Sequence, residues 1–504
     1  MTPWKCRRFV VALAALATIM GASSSHADYE AEYDDSEIVV HLMGTVGIET
    51  INARWGTYTL DAFPEADLYL VAPEVPGQIP EISEQMESDP DIRSAHPNFV
   101  QDTPEGIRQL LIIAVGGEYV DYEDQFLTQR IGLDQAHAVT RGAGVTVAVL
   151  DTGVDPTHEA LVGHLAPDGY DFVGNDSEPW EEANGLDDDG DTQVDEGYGH
   201  GTMVAGIVAL VAPEATILPI RVLDDDARAD AFVICKAIRY AAMHGADVIN
   251  MSLGIPIEIE AIEAQIQFVE QNDILLVAGA GNQSRGDAPF FPAADERVLM
   301  VTAVDSLDTK ADFADWGSSV DLSAPGTGVR SAFPEGQWAL GAGCSFATPF
   351  VSGSAALVRA VAPNLSLQDW RLRVCGGTQP IDGLVGNAPY FGLLGDGRVY
   401  LPDAVLTPAS TPEVTSPVSW TAYPNPATNE VVFRAESDAS GNDSAGRALE
   451  VFDGAGRRVA LIAPSGAAWR WNTQDDRGRL VPSGIYFIRP EGSARAALAI
   501  RVVR

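Results

Sequence analysis

A doubly wound, mostly parallel α/β domain is the fold this sequence predicts, with a small α+β unit ahead of it and a small β-sandwich behind it. Three observations carry the prediction. Over residues 121–406, short continuous apolar runs alternate with segments of helical spacing, which is how buried parallel strands and their crossover helices read. Residues 407–419 ("TPASTPEVTSPVS") are rich in Pro, Ser and Thr with little to bury, a linker composition. Over 420–504, strand-like runs are separated by Gly and Asp turns, the pattern of a small sandwich.

From the N-terminus, Lys5, Arg7 and Arg8 precede the apolar run Phe9 to Met20 and the small-residue site "SHA" at 25–27. These features make residues 1–27 a secretory signal peptide, too short in its apolar run to span a membrane. Arg7-Arg8 hints at the twin-arginine route, and a general secretory signal is the reading adopted. The mature protein is therefore expected to be soluble and secreted. Residues 28–120 carry "EIVVHLMG", "ADLYLVAP", the helical stretch "GQIPEISEQMESD" and "DIRSAHPNFV", which together predict the small α+β unit. In 121–406, "GVTVAVLD", "ATILPIRVL", "ADVINMSLG", "DILLVAGAGN" and "VLMVTAV" are the predicted parallel strands. "DAFVICKAIRYAAMHG" and "IEAIEAQIQFVEQN" are predicted helices between them.

Composition narrows the partners. A hydrophobic fraction of 46% over 504 residues is that of a globular chain. A formal net charge of −41 argues against nucleic acid and against an anionic membrane surface. Once Cys6 leaves with the signal, Cys235, Cys344 and Cys375 remain. That odd, widely spaced set is neither a disulfide framework nor a zinc site, and it leaves room for one bridge.

The stretch "GAGCSFATPFVSGSAALVRA" (341–360) reads as a buried helix beginning near Ser345, because Pro349 is tolerated only within a first turn. A serine there meets free backbone N–H groups and the positive end of the macrodipole. From this stretch alone an N-cap is the commoner explanation, and a nucleophile is the alternative. Two more motifs bear on the choice. "VAVLDTGVD" places Asp151 at the carboxyl end of a buried strand, where α/β sheets form their sites. "GHGTMVAGIVAL" starts a helix with His200. Serine, an imidazole to take its proton and a carboxylate to fix the imidazole tautomer are the set nucleophilic catalysis needs. Asn282, ending "GAGN" after a strand, offers an amide donor for the oxyanion of a tetrahedral intermediate.

Across about Gln125 to Val405 the chain resembles the subtilisin-like serine peptidases, the subtilases. Asp151, His200 and Ser345, in that order, fall on the family's catalytic positions and Asn282 on its oxyanion position; "HEAL" with His158, "NMSLG" and "LSAPG" are further landmarks. The resemblance implies that Ser252, Leu253 and Gly254, with Gly279, Ala280 and Gly281, form two extended edges that pair with substrate backbone. Cys344 and Phe350 depart from the Thr and His usual in the family. Ile255 departs from a second glycine, and neutral Gln283 gives no reason to expect a basic P1 preference. In "NGLDDDGDTQVDEG" (184–197), Asp187, Asp189, Asp191 and Asp195 supply hard oxygen ligands, so calcium is expected there, outside EF-hand spacing. The alternative is a solvated acidic loop. His158, His164 and His200 lack zinc spacing, and no organic cofactor is expected.

Residues 28–120 resemble a subtilase pro-domain, an inhibitor and chaperone whose tail crosses the active site, with "DPDIRSAHPNFVQ" as its last strand. Residues 420–504 resemble the β-domain shared by type IX secretion sorting signals and the flagellar hook-capping protein, through "YPNPATNEVVFR", "VFDGAGRRV", "WNTQDDRGRLVPSGIYFIR" and "ALAIRVVR". That implies contact with secretion machinery or with the cell surface. The expected function is a secreted serine endopeptidase, made as a self-processed zymogen and acting on proteins and peptides. The rivals are an inactive peptidase-fold binding protein and a surface adhesin acting mainly through its C-terminal domain.

Overall fold

The computed structural model describes residues 32–75, 77–102, 113–115, 118–187, 193–287 and 290–406, and in the C-terminal region 419–424, 427–436, 448–453, 457–465, 468–490 and 498–503. The expected signal peptide and linker residues 407–418 lie outside these.

The layers of the central domain follow from the period-two alternation of its strands. In Thr146–Asp151, Val147 and Val149 enter one apolar core while Ala148 and Leu150 enter the other. The first core is completed by helices His200–Val211 and Cys344–Val361, the second by Ala231–Met243 and Glu260–Gln271. Every residue of His200–Val211 is buried, which explains its lack of a polar face. Ala231–Met243 starts where the Asp230 carboxylate accepts the Val233 N–H at 2.8 Å, a side-chain cap.

Among the described residues the central sheet runs Thr378–Gln379, Arg398–Val399, Leu322–Pro325, Val298–Val304, Leu275–Gly279, Val248–Met251, Thr146–Asp151, Thr216–Arg221 and Tyr170–Asp171. All adjacent pairs are parallel except the first. From Thr146–Asp151 the chain crosses to the edge strand Tyr170–Asp171, fills the place between with Thr216–Arg221, then returns and builds to the other side from Val248–Met251. The sheet thus changes direction beside Thr146–Asp151, and the crevice at such a point is where α/β sheets bind ligands.

Ahead of this domain, Tyr33–Leu42, Thr57–Phe63, Leu68–Pro73 and Ile92–Asp102 form an antiparallel sheet. Helices Ile48–Trp55 and Ile79–Met86 contribute to the core on one face. The other face contributes Val39, Leu68, Leu70 and Phe99 to the core built around Ala231–Met243. Ile92–Asp102 also pairs with Arg228–Asp230 of the central domain. Asn98 bridges the small unit and the central domain: its amide donates to Glu37 at 2.8 Å and its oxygen accepts the Phe232 N–H at 3.2 Å. Further on, Ile113–Val115 adds a third strand to the hairpin Val329–Phe333/Gln337–Gly341. In the C-terminal region a pair of four-stranded antiparallel sheets shares a core containing Phe433, Trp469, Trp471, Tyr486 and Ile500. Phe452 there meets Phe391 of the central domain, with ring centroids 5.2 Å apart.

Candidate active site

Asp151 is the last residue of its strand and is 1% exposed. Its Oδ1 accepts the Thr152 N–H at 2.9 Å and stands 2.6 Å from His200 Nδ1. A carboxylate on Nδ1 fixes the tautomer with the proton there and leaves Nε2 as the basic nitrogen. His200 is the first residue of its helix. Gly201, next to it, has no room for a side chain: a Cβ there would collide with the Gly153 carbonyl and lie 3.1 Å from Asp151 Cβ. Main chain therefore meets main chain between strand end and helix, and this brings Asp151 and His200 together.

Ser345 is the second residue of helix Cys344–Val361 and is fully buried. Pro349 lies further inside that helix than a first turn, contrary to the expectation from sequence. Proline brings no N–H to the carbonyl four residues back, which is that of Ser345. The Ser252 hydroxyl donates to that carbonyl instead, at 3.0 Å, so the orphaned acceptor is satisfied from the neighbouring strand end. In return the Ser345 hydroxyl donates to the Ser252 carbonyl at 3.4 Å.

Asn282 Oδ1 accepts the Cys344 N–H at 2.9 Å. A backbone N–H can only donate, so this bond sets the amide orientation and turns Nδ2, with its two protons, to the other side. The Cys344 thiol donates to the Gly281 carbonyl at 3.0 Å and is buried. It fills the role of a small core residue, and Phe350 likewise joins the apolar core. Cys235 and Cys375 are also buried thiols outside any disulfide. Beneath the Asn282 turn, Asp315 Oδ1 accepts the N–H groups of Gln283 at 3.0 Å and Arg285 at 2.7 Å. Burial pushes its carboxyl up to about 6 despite those donors.

Ser252, Leu253 and Gly254 continue beyond strand Val248–Met251, and Gly279 ends strand Leu275–Gly279 with Ala280 and Gly281 following it. The Ala280 N–H is already held by Val301, at 2.8 Å, and the Gly281 carbonyl by Asp315 N–H, at 2.9 Å. Between the edges stands the ring of Phe290, 3% exposed. A Cβ on Gly254 would lie 3.6 Å from its Cδ1, and one on Gly281 2.8 Å from its Cδ2. One ring thus fills the gap from both sides. No sequence motif marks Phe290.

The acidic loop is only partly described. Asp187 is exposed, and Asp189 and Asp191 lie outside the described residues. Both Asp195 oxygens accept the Gly185 N–H, at 3.1 and 3.0 Å, and Oδ1 also takes that of Asn184, at 2.9 Å. Among the described residues no group of three or more His, Cys, Asp or Glu side chains is placed to hold a metal ion. The described donors therefore do not make up a calcium site. His158 is structural: its Nε2 meets the Gln337 carbonyl at 2.8 Å and its ring stands edge-on to Trp338.

A carboxylate-oriented imidazole, a serine hydroxyl in the first turn of a helix and a locked amide donor are together suited to acyl transfer. Comparison with known proteins gives the same direction. The model of the subtilase family matches residues 142–374. Thermitase of Thermoactinomyces vulgaris is 35% identical over 244 residues, 46% of this chain and 81% of thermitase. A thermophilic serine proteinase of Bacillus sp. (strain AK1) is 37% identical over 251 residues, 48% of this chain and 58% of that protein. Among solved structures, fervidolysin from Fervidobacterium pennivorans, a keratinolytic enzyme related to subtilisin, aligns with a TM-score of 0.62. That alignment covers 90% of this chain and 71% of fervidolysin at 20% identity, a likeness of fold.

Proposed function

The chain belongs to the subtilase family and is a serine endopeptidase, and from that premise we propose that Asp151, His200 and Ser345 are its catalytic triad. The observation that carries the proposal is the 2.6 Å contact between buried Asp151 and His200 Nδ1. His200 Nε2 takes the Ser345 proton as the oxygen attacks the peptide carbonyl, and the imidazolium is stabilised by Asp151. Asn282 Nδ2 and the Ser345 N–H receive the oxyanion. His200 then protonates the departing amine, and water releases the acyl group by the same route in reverse. A serine-directed fluorophosphonate is expected to label the mature protein at Ser345; a chain that stays unlabelled while hydrolysing no peptide is a binding protein instead.

The proposal extends to the rest of the chain. Residues 1–27 direct secretion. Residues 28–120 act as an inhibitory pro-domain, supported by the shared core and by the pairing of Ile92–Asp102 with Arg228–Asp230. Residues 420–504 serve sorting or surface attachment. Ser252, Leu253 and Gly254, with Gly279, Ala280 and Gly281, flank the substrate. Because Phe290 fills the gap between these edges, small side chains are favoured where the substrate enters it. Phe290→Ala is expected to raise kcat/KM for a bulky apolar residue relative to alanine at the scissile position, by about 10- to 100-fold. An unchanged ratio on paired peptide substrates rejects this placement of the subsite.

Calcium at Asp187, Asp189, Asp191 and Asp195 stays within the proposal on the alternation of carboxylates alone. If it binds there, chelation lowers the melting temperature, since a ligand held only by the native state stabilises it by mass action. Asp187→Asn with Asp189→Asn and Asp191→Asn then abolishes that response. Equal melting curves with calcium and with chelator remove calcium from the account.

A further inference from the structure

A carboxylate the sequence does not single out stands between the two elements that carry Asp151 and His200. Glu181 is brought there by main-chain pairing, with its N–H donating to the Val154 carbonyl at 3.0 Å. The hydroxyl of Thr152, next to Asp151, donates to Glu181 Oε1. The N–H of Gly199, next to His200, donates to the same oxygen at 3.0 Å. Thr202, in the first turn after His200, donates to Oε2 through its N–H at 3.0 Å and its hydroxyl at 2.5 Å.

The two hydroxyls also cross-link the elements. Thr152 Oγ1 accepts the Gly201 N–H at 2.9 Å, and Thr202 Oγ1 accepts the Asp155 N–H at 2.9 Å. A hydroxyl has one proton to give, and both give theirs to Glu181. Each carboxylate oxygen thus receives two donors, and none of these groups is turned to accept a proton from it. The network is complete only around an ionised carboxylate.

We propose that Glu181 is a positioning residue for peptide hydrolysis: its ionised carboxylate ties the strand end bearing Asp151 to the first turn bearing His200 and so holds the imidazole in place. This rests on the Asp151–His200–Ser345 reading above. Protonating Glu181 removes an acceptor. The other acceptor near the Thr152 hydroxyl is Asp151 Oδ1 at 3.5 Å, the oxygen that orients His200. Burial pushes Glu181 up to about 7; the hydroxyls of Thr152 and Thr202 oppose the shift and the charge of Asp151 adds to it. The titratable groups around it are Asp151 at the strand end, and Tyr198 and His200 on the turn and helix. The folded value lies above the unfolded one, so Glu181 contributes stability that is complete below about pH 4.5 and lost as pH rises through about 7. The form the network needs is the less stable form.

The test compares wild type and Glu181→Gln as mature enzyme on one peptide substrate, with rates normalised to titrated active sites, and carries Ser345→Ala as a control with rates per mole of protein. In wild type the acid limb of log kcat/KM carries the protonation of Glu181 as well as that of the general base, so it is steeper than a single proton allows. Glu181→Gln is expected to fall with a slope of one, with kcat lower by about 10- to 100-fold and KM within about twofold. Its melting temperature should also lose the share of the pH slope that Glu181 supplies. Unchanged kcat and acid limb, or a loss confined to melting temperature, overturns the proposal. Should Glu181→Gln not fold, Thr202→Val decides: a smaller fall in kcat at constant KM, mostly recovered in Thr202→Ser, supports the proposal, and wild-type kcat overturns it. A Ser345→Ala chain that stays active instead refutes the triad reading, and the positioning role with it.

Discussion

Ser345→Ala is expected to lower kcat by about 10⁶ while leaving the fold and KM nearly unchanged. The side chain is fully buried and its hydroxyl donates to the Ser252 carbonyl at 3.4 Å, and removing that one oxygen disturbs little packing. What remains, the amide of Asn282 and the helix N-terminus, still supports about 10³- to 10⁴-fold acceleration over water. Peptide hydrolysis with circular dichroism as fold control measures this. Cys344→Thr is the paired control: threonine can supply the donor the thiol gives to Gly281, so activity should persist. A dead Cys344→Thr beside an active Ser345→Ala would move the nucleophile to sulfur. The serine variant should also keep residues from Asp28 onward, whereas wild type loses roughly its first hundred residues after the signal, because first cleavage within one chain profits from effective concentration. Trimming of purified Ser345→Ala at the wild-type bond would show that another peptidase matures the enzyme.

Asn282→Asp is expected to reduce kcat by about 10²–10³ with KM within a few-fold. This substitution is more telling than alanine, because the new carboxylate can still accept the Cys344 N–H that Asn282 accepts now. The helix start keeps its anchor while the donor facing the oxyanion becomes an acceptor with negative charge. Loss confined to kcat places the amide in the transition state. An equal rise in KM with kcat intact would mean that Asn282 only binds substrate.

Asp151, His200, Ser345 and Asn282 stand out in the sequence as candidates because each lies in a short contiguous motif at a strand end or helix start, where local sequence and local geometry coincide. The alternation that assigns Val147 and Val149 to one core and Ala148 and Leu150 to the other was legible for the same reason. Glu181 was not. In "PWEEANG" nothing separates it from Glu182, which instead lies 3.2 Å from the Arg221 guanidinium, and its partners come from residues up to 29 positions away. Phe290 is hidden similarly, since its meaning depends on two glycines from separate strand ends. The helix start near Ser345 was legible to within one residue, although Pro349 lies beyond the first turn, where the Ser252 hydroxyl supplies the donor that proline lacks. The pairing of Ile113–Val115 with a distant hairpin likewise has no local signature, being a product of chain topology.

The bare main-chain contact at Gly201 bears on how this enzyme responds to heat. Packed side chains can yield by degrees, exchanging rotamers as a core loosens. Gly201 lies against the Gly153 carbonyl with no side chain between them, so at this one point main chain alone sets the spacing of strand and helix. A side chain added at this point, as in Gly201→Ala, is therefore expected to lower the melting temperature, because strand end or helix start must shift to admit it.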